Sequence, residues 1–241
     1  MSGSRLYVGA VITAGFGLTV AAAPRDIAHP VVAATLLAAT VLLSTFKIRL
    51  PLGYGNATMT MAYCVDFVAL LIEGANLAML LGAIGVLIQC TVRVRRQQPI
   101  HRAAFSAAAV IIAVQLAGWG WRALGGSLTA LTLTSTVLPL LVCAITYYLA
   151  NTSLVVGAIA VTSPSPRLAW NPEFLWSAPG YLVAAVVAAL VGLAMMHGVV
   201  LLLPIVASPL YACYRGYQAR WREMGAALVA QAAQARTPAA V

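Results

Sequence analysis

The stretch that decides the fold is residues 58–92, TMTMAYCVDFVALLIEGANLAMLLGAIGVLIQCTV, whose only charged residues are Asp66 and Glu73. Hydrocarbon offers the backbone no hydrogen-bond partners, so an apolar run of about 20 residues predicts a membrane-spanning helix. Glu73 and Gly74 divide the stretch into two predicted helices, residues 58–72 and 75–92, joined by a tight turn. The first would be only about 22 Å long, less than the roughly 30 Å hydrocarbon core, so a re-entrant element is the alternative to a full crossing.

Similar apolar stretches flank this hairpin on both sides. They are residues 6–23, 31–46, 103–121, part of 128–162, 177–196 and 199–213. We therefore predict an all-α, polytopic membrane helix bundle of about eight transmembrane helices within residues 1–213, followed by a cytoplasmic exit helix and tail, residues 214–241. The number falls to seven if the hairpin is partly re-entrant or if residues 1–23, which resemble a signal peptide, are cleaved. Pro24 directly after the would-be cleavage site disfavours processing, so we expect a retained helix.

The composition excludes a water-covered surface. Of the 241 residues 62% are hydrophobic and 8% are charged, whereas soluble domains carry about 25% charged residues. The mean hydropathy is +0.94. The net charge of +9 would favour nucleic acid as the partner of a soluble protein, but here the basic residues flank the spans, where anionic lipid and topology explain them. We expect the lipid bilayer as a partner and no nucleic acid.

The basic residues also predict the orientation. With eight spans, twelve of the fourteen Lys and Arg residues fall on one side, and only Arg25 and Arg122 on the other. This asymmetry predicts a multi-pass protein of the plasma membrane with both termini in the cytoplasm. The residues expected to set topology or to face lipid headgroups on the cytoplasmic side are Arg93, Arg95, Arg96, Arg102, Arg215, Arg220 and Arg222.

Asp66 is the candidate functional residue, because an ionisable side chain inside a span is costly unless it is paired, hydrated or protonated. With Gln115 and Asn151, two amides in other spans, it forms the candidate intramembrane polar site. The alternative is a hydrogen-bonded aspartate that only holds helices together. Glu73, at the predicted outer end, is expected to form an ion pair with Arg122.

No signature of catalysis or metal binding stands out in the chain. The four cysteines are far apart and form no C-x-x-C pair, so neither a zinc site nor a disulfide framework is predicted. Phosphate-loop, H-E-x-x-H and G-x-S-x-G motifs do not occur. We therefore expect no metal, no cofactor and no catalytic residue.

Three stretches together carry a family resemblance. They are KIRLPL at residues 47–52 with the 58–92 hairpin that follows, residues 101–126 ending in WGWRALGG, and residues 147–162, YYLANTSLVVGAIAVT, with Trp170, Trp176 and the closing LLLPIVASPLYACYRGYQAR at residues 201–220. Over roughly residues 31–222 the chain resembles the multi-helix membrane-associated sensory (MASE-like) domains that precede HD-GYP phosphodiesterase and diguanylate cyclase domains in bacteria.

The resemblance implies a non-enzymatic sensory or interaction module that signals through its cytoplasmic exit helix, to a cytoplasmic partner or a second copy of the chain. The sequence contains no HD, GYP or GGDEF motif, so cyclic-di-GMP chemistry is not implied. The alternative is a small-solute binding or transport protein. A polar cavity open to the outside and containing Asp66, Gln115 and Asn151 would favour that alternative.

The charge asymmetry makes a prediction about topology. Reporter fusions placed in the loop of residues 93–102 and after Arg220 should both give a cytoplasmic signal. A fusion after Arg122 should give the opposite signal and serves as the control. A periplasmic signal at either of the first two positions would overturn the assignment.

Overall fold

The computed structural model describes residues 2–49, 58–92, 99–162, 177–199, 208–209, 211–219, 222–223 and 226. The α-helices in these ranges are α1 (Ser2–Ala21), α2 (Pro30–Ser44), α3 (Tyr63–Ile72), α4 (Ala75–Thr91), α5 (Ile100–Ala123), α6 (Leu138–Thr162) and α7 (Ala178–Met196). Residues 211–219 are also helical and are called the exit helix below.

The helix boundaries follow local sequence signals. Pro30 opens α2, and Pro99 directly precedes α5, since proline suits the start of a helix, where a backbone N–H has no partner. Gly74 has φ of 92°, a left-handed conformation that favours glycine, and it makes the tight turn between α3 and α4. One π-helical turn, Leu133–Val137, leads into α6.

The predicted third span is wrong in its first residues. Thr58–Thr60 form a short strand, β2, which pairs antiparallel with β1 (Lys47–Arg49), so that Lys47 lies opposite Thr60. The helix begins only at Tyr63 and has 10 residues, about 15 Å at the usual rise. The alternating Thr58-Met59-Thr60 fits a strand better than a helix, because β-branched residues favour strands.

Four helices in the described ranges are long and apolar enough to cross a membrane. They are Gly3–Ala21, Ile100–Ala123, Leu133–Thr162 and Ala178–Met196. Helices α2, α3 and α4 are apolar but shorter. Most of the predicted eighth span, residues 199–213, lies outside the described residues, so the number of eight spans stays a prediction.

The shortest helix lies at the centre of the bundle. Every residue from Met61 to Leu70 is buried, and α3 packs against α4 on one side and α7 on the other. Helix α5 packs between α4 and α6, α2 lies against α4, and α1 covers α5. Because α1 leaves most of its apolar surface exposed, it presents that surface to the surrounding lipid.

Glycines permit three close helix crossings. A Cβ at Gly15 would lie 2.5 Å from the Cβ of Ala108, one at Gly118 would overlap Ala75, and one at Gly82 would lie 2.7 Å from Val110. Small residues at such crossings let helix backbones approach closely. The sequence spacing Gly9, Thr13 and Gly17 also resembles a packing motif, but Gly9 and Gly17 have open space around them.

The crossing of α4 and α5 makes a testable prediction. Replacement of Gly118 by Ala should destabilise the bundle by about 1–3 kcal/mol, because the new methyl group overlaps Ala75 in a packed interior. Gly9→Ala is the matched control, since nothing lies within 4 Å of its added Cβ, and it should leave stability unchanged or raise it by up to about 1 kcal/mol. Unfolding of the detergent-solubilised protein measures both, and equal effects would contradict the crossing.

Candidate functional site

Asp66 faces the interior of the bundle, as its position inside an apolar run requires. It lies on α3, and only 3% of its surface is exposed. Its Oδ2 atom accepts a hydrogen bond of 2.7 Å from the hydroxyl of Tyr147 on α6. Within the described part of the chain its Oδ1 atom has no hydrogen-bond partner. The carboxyl group is therefore held at one oxygen and left open at the other.

A glycine makes room for this carboxyl group. Gly82 on α4 faces Asp66, and a Cβ at that position would lie 3.2 Å from each carboxylate oxygen. Any side chain at Gly82 would therefore press on the acid. The close approach of α4 is part of the site.

Aromatic side chains surround Tyr147 and form what we call the aromatic cluster: Tyr63, Phe67, Tyr147, Tyr148 and Tyr181. The rings of Tyr63 and Tyr181 stack with centroids 4.7 Å apart. Tyr147 packs at 5.0 Å from Phe67 and at 5.5 Å from Tyr181, both tilted. Such offset and tilted pairs are the favourable arrangements of aromatic rings. The cluster thus joins α3, α6 and α7.

The three predicted polar residues fall into two separate places. Asn151 donates a hydrogen bond of 3.2 Å to the hydroxyl of Tyr181, so it joins the aromatic cluster through Tyr181 and not through Asp66. Gln115 instead lies against α4, where its Nε2 atom donates to Asn76 Oδ1 at 3.2 Å and approaches Met79 Sδ at 3.0 Å. The three predicted residues therefore bond to three different partners, Asp66 to Tyr147, Asn151 to Tyr181 and Gln115 to Asn76, and not to one another.

The exit helix reaches the same cluster. Its Tyr217 hydroxyl donates to the backbone oxygen of Ser177 at 3.4 Å, beside the start of α7. A Cβ at Gly180 would lie 2.7 Å from the Tyr217 hydroxyl and 3.0 Å from the Tyr63 hydroxyl. Both hydroxyls therefore lie beside Gly180, which brings the exit helix next to the aromatic cluster.

The predicted ion pair between Glu73 and Arg122 is not formed. Glu73 Oε1 instead lies 2.9 Å from Nδ1 of His29, at the start of α2. The turn between α1 and α2 places His29 directly over the turn between α3 and α4, while Arg122 is exposed at the end of α5. Spatial order, which the sequence does not give, decides the partner.

A cleft of about 460 Å³ opens beside this pair. Its lining comes from the α1–α2 turn and the start of α4, and its polar members are Arg25, Asp26, Glu73 and Asn76. Asp66 and Asn151 do not line it, and Gln115 touches it only through Asn76. The cleft is therefore separate from the aromatic cluster.

The predicted cytoplasmic arginines are only partly described. Arg102 at the start of α5 and Arg222 are exposed, and Arg215 on the exit helix is exposed and donates to the Tyr211 hydroxyl at 3.4 Å. Arg93, Arg95, Arg96 and Arg220 lie outside the described residues.

The described residues hold no group of three or more His, Cys, Asp or Glu side chains that could bind a metal ion. The four cysteines are free. The site is thus one carboxyl group, its tyrosine partner and the rings around them.

Sequence reasoning missed the tyrosines. Tyr147 and Asn151 are four residues apart, so they lie on one face of α6, and this spacing is the signal that could have linked them. Tyr63 and Tyr181 gave no such signal, because their stacking depends on how α3 meets α7.

No protein-family model, no curated protein and no solved structure matches this chain. The resemblance to membrane-associated sensory domains therefore stays a prediction.

The bond between Asp66 and Tyr147 makes a prediction for a double-mutant cycle. Asp66→Leu and Tyr147→Phe should each destabilise the protein by about 1–3 kcal/mol, because each leaves a buried partner unpaired or a gap in the packing. The double variant should be more stable than the sum of the two effects by about 1 kcal/mol. Chemical unfolding in detergent measures the cycle. Strict additivity would show that the two groups do not interact.

Proposed function

We propose that this protein is a non-enzymatic sensory module of the plasma membrane, which converts a change at Asp66 into a movement of its cytoplasmic exit helix. The observation that carries the proposal is the unbroken series of contacts from Asp66 through Tyr147, Tyr181 and Tyr63 to Tyr217. Both termini lie in the cytoplasm in this proposal, in accordance with the distribution of basic residues.

The series of contacts can transmit a change because each member is held by the next. The hydrogen bond to Asp66 sets the orientation of the Tyr147 ring, which packs against Tyr181, which in turn stacks on Tyr63. Packed interiors do not deform continuously, so a ring that turns displaces its neighbour. The series ends at Gly180, where the hydroxyls of Tyr63 and Tyr217 both lie, and Tyr217 belongs to the exit helix.

The energy available at Asp66 is sufficient for such a switch. To hold an ionised group in a protein interior costs several kcal/mol relative to its neutral form. A bias of about 5.5 kcal/mol moves a two-state equilibrium from 1:99 to 99:1. A change in the charge of Asp66 can therefore move most of the population from one arrangement of the exit helix to the other.

The closure of the site supports a non-enzymatic role. Asp66 and Tyr147 are 3% and 2% exposed, respectively. A catalytic acid and its partner must contact a substrate, and groups of this burial are closed to an organic substrate. The output of the site is therefore conformational.

A second candidate function, binding or transport of a small solute, is favoured by the cleft at the α1–α2 turn. Its volume of about 460 Å³ falls in the range of about 300–1,000 Å³ that is typical of ligand pockets. Arg25 and the acids Asp26 and Glu73 give it both charges, which suits a zwitterionic solute. It does not reach Asp66, which is why we place it second.

The sensory proposal predicts that the exit helix responds to Asp66. An environment-sensitive fluorophore on Ala219→Cys, with Cys90 and Cys213 replaced by serine, reports on the exposed end of that helix. Asp66→Asn, which removes the charge and keeps the shape, should shift the emission. The shift should be largely lost when Tyr181→Leu interrupts the series of rings. Unchanged emission in Asp66→Asn would overturn the proposal.

Asp26→Asn is the matched control, because it makes the same chemical change at an exposed position and should leave the emission unchanged. Deletion of residues 223–241 should leave the bundle folded and abolish the effect on a signalling partner. If this deletion leaves every phenotype intact while Glu73→Gln abolishes uptake or binding of a small solute, transport replaces the sensory function.

A further inference from the structure

Three buried polar atoms of this protein have no hydrogen-bond partner in the part of the chain that the structure describes. They are Asp66 Oδ1, Thr40 Oγ1 and Ser44 Oγ. Thr40 and Ser44 are fully buried on α2, one turn apart. Buried polar groups almost always have partners, so three orphans in one bundle require an explanation.

The residues that carry these atoms, Asp66, Thr40 and Ser44, pack against one face of α4. Gly82 faces Asp66, and a Cβ on Gly85 would lie 3.0 Å from Ser44 Oγ and 3.1 Å from the Thr40 methyl group. Gly82, Gly85 and Gln89 are spaced three and four residues apart, so they share that face. The absence of side chains at the two glycines lets α2 and α3 bring their polar groups to the same groove.

The polar face continues to the end of the bundle. The side chain of Gln89 accepts a hydrogen bond of 3.3 Å from Thr60 on β2. The ammonium group of Lys47, which lies opposite Thr60 in the two-stranded sheet, donates a hydrogen bond to the backbone oxygen of Val92. We call this series the polar track: Lys47, Thr60, Gln89, Ser44, Thr40 and Asp66.

The hydroxyl groups of Thr40 and Ser44 behave differently from other helical hydroxyl groups of the bundle. A helical hydroxyl usually bonds to the carbonyl four residues before it. Thr19, Thr35, Thr91 and Thr162 all do so, at 2.6–2.9 Å. Thr35 is on the same helix as Thr40 and Ser44, so the backbone of α2 allows this bond. The two buried hydroxyls are instead left available to a ligand.

Neither protonation state of Asp66 satisfies its Oδ1 atom from within the protein. An ionised carboxylate at this depth has one hydrogen bond and no cation beside it among the described residues. A neutral carboxylic acid with its proton on Oδ1 would have a donor without an acceptor. A ligand that carries one positive charge or a hydrogen-bonded water resolves either state.

We propose that a monovalent cation, a proton or Na⁺, binds at Asp66 and reaches it along the polar track from the end that carries Lys47. One carboxylate and two hydroxyl groups are hard oxygen donors, and one negative charge matches one positive charge. As a proton, the cation passes from hydronium to Asp66 Oδ1, and the water molecule that remains accepts a hydrogen bond from the new carboxylic acid. As Na⁺, it binds the carboxylate oxygen and neutralises it without a covalent step.

Binding of the cation is then the stimulus of the sensory function proposed above. The effect of binding on the exit helix rests on that proposed function, but the cation site itself does not. None of the described groups that face Asp66 is a second acid. Tyr147 and Tyr181 face it from α6 and α7, and Cys64 and Tyr63 lie beside it on α3. Gly82 faces it from α4, and Val110 of α5 lies against the same glycine.

The test uses the full chain in lipid nanodiscs, with two arms. In the sodium arm, the unfolding temperature is followed while NaCl replaces choline chloride at constant ionic strength and high pH. In the proton arm, infrared difference spectra follow the carboxylic-acid carbonyl band during a pH titration without sodium. A response in either arm that Asp66→Asn abolishes and Glu223→Gln, the same chemical change at an exposed position, preserves supports the proposal, and the arm identifies the cation.

The hydroxyl groups supply the second variant. Thr40→Val and Ser44→Ala should weaken sodium binding about tenfold each, or displace the pH midpoint of the carbonyl band by about one unit, as expected for the loss of one hydrogen bond. Thr35→Val is the matched control, because its hydroxyl is exposed and bonds only its own helix. If Thr40→Val raises stability equally at all salt and pH values, the buried hydroxyl group binds no cation and only carries a desolvation cost. The proposal then fails.

The failure of this inference and of the proposed function can be told apart. If the cation binds and the fluorophore on the exit helix does not respond to it, the site stands and the sensory function fails. If Asp66→Asn moves the exit helix but neither arm shows a cation, only the cation is wrong. No response in either arm for the unaltered protein overturns the cation site outright.

Discussion

The hydrogen bond from the Tyr147 hydroxyl to Asp66 joins α6 to α3 in the middle of the bundle. It is strong in this place because the surrounding side chains exclude bulk water, which would compete with it. It also sets a condition on the neighbours, since Gly82 must lack a side chain and Tyr147 must keep its ring against Phe67 and Tyr181. One buried acid thus fixes how four helices approach each other.

The position of α3 explains why an acid is tolerated there. This helix has 10 residues and is enclosed by α2, α4 and α7, so its side chains meet protein and not lipid. A charged group exposed to hydrocarbon would be costly, but one enclosed by polar partners can be retained for function. The same enclosure holds Thr40 and Ser44 beside α4.

The cleft at the α1–α2 turn and the aromatic cluster lie on different parts of the bundle, and α4 connects them. Its first turn carries Asn76, which lines the cleft and accepts a hydrogen bond from Gln115. Its next turns carry Gly82 and Gly85, which face Asp66 and the hydroxyls of α2. A solute that moved the start of α4 would also move the groove beside Asp66, so the two candidate functions share one mechanical element.

The sequence alone determined the class of the protein and the location of its turns. Long apolar runs must be helical where the backbone has no other partner, and this physical constraint made α1, α5, α6 and α7 predictable. Asp66 was found in the same way, because an acid in an apolar run is conspicuous. The strand at Thr58–Thr60, the pairing of Glu73 with His29 and the separation of Gln115 from Asp66 were not predictable. They depend on which helices become neighbours, and only tertiary packing decides that.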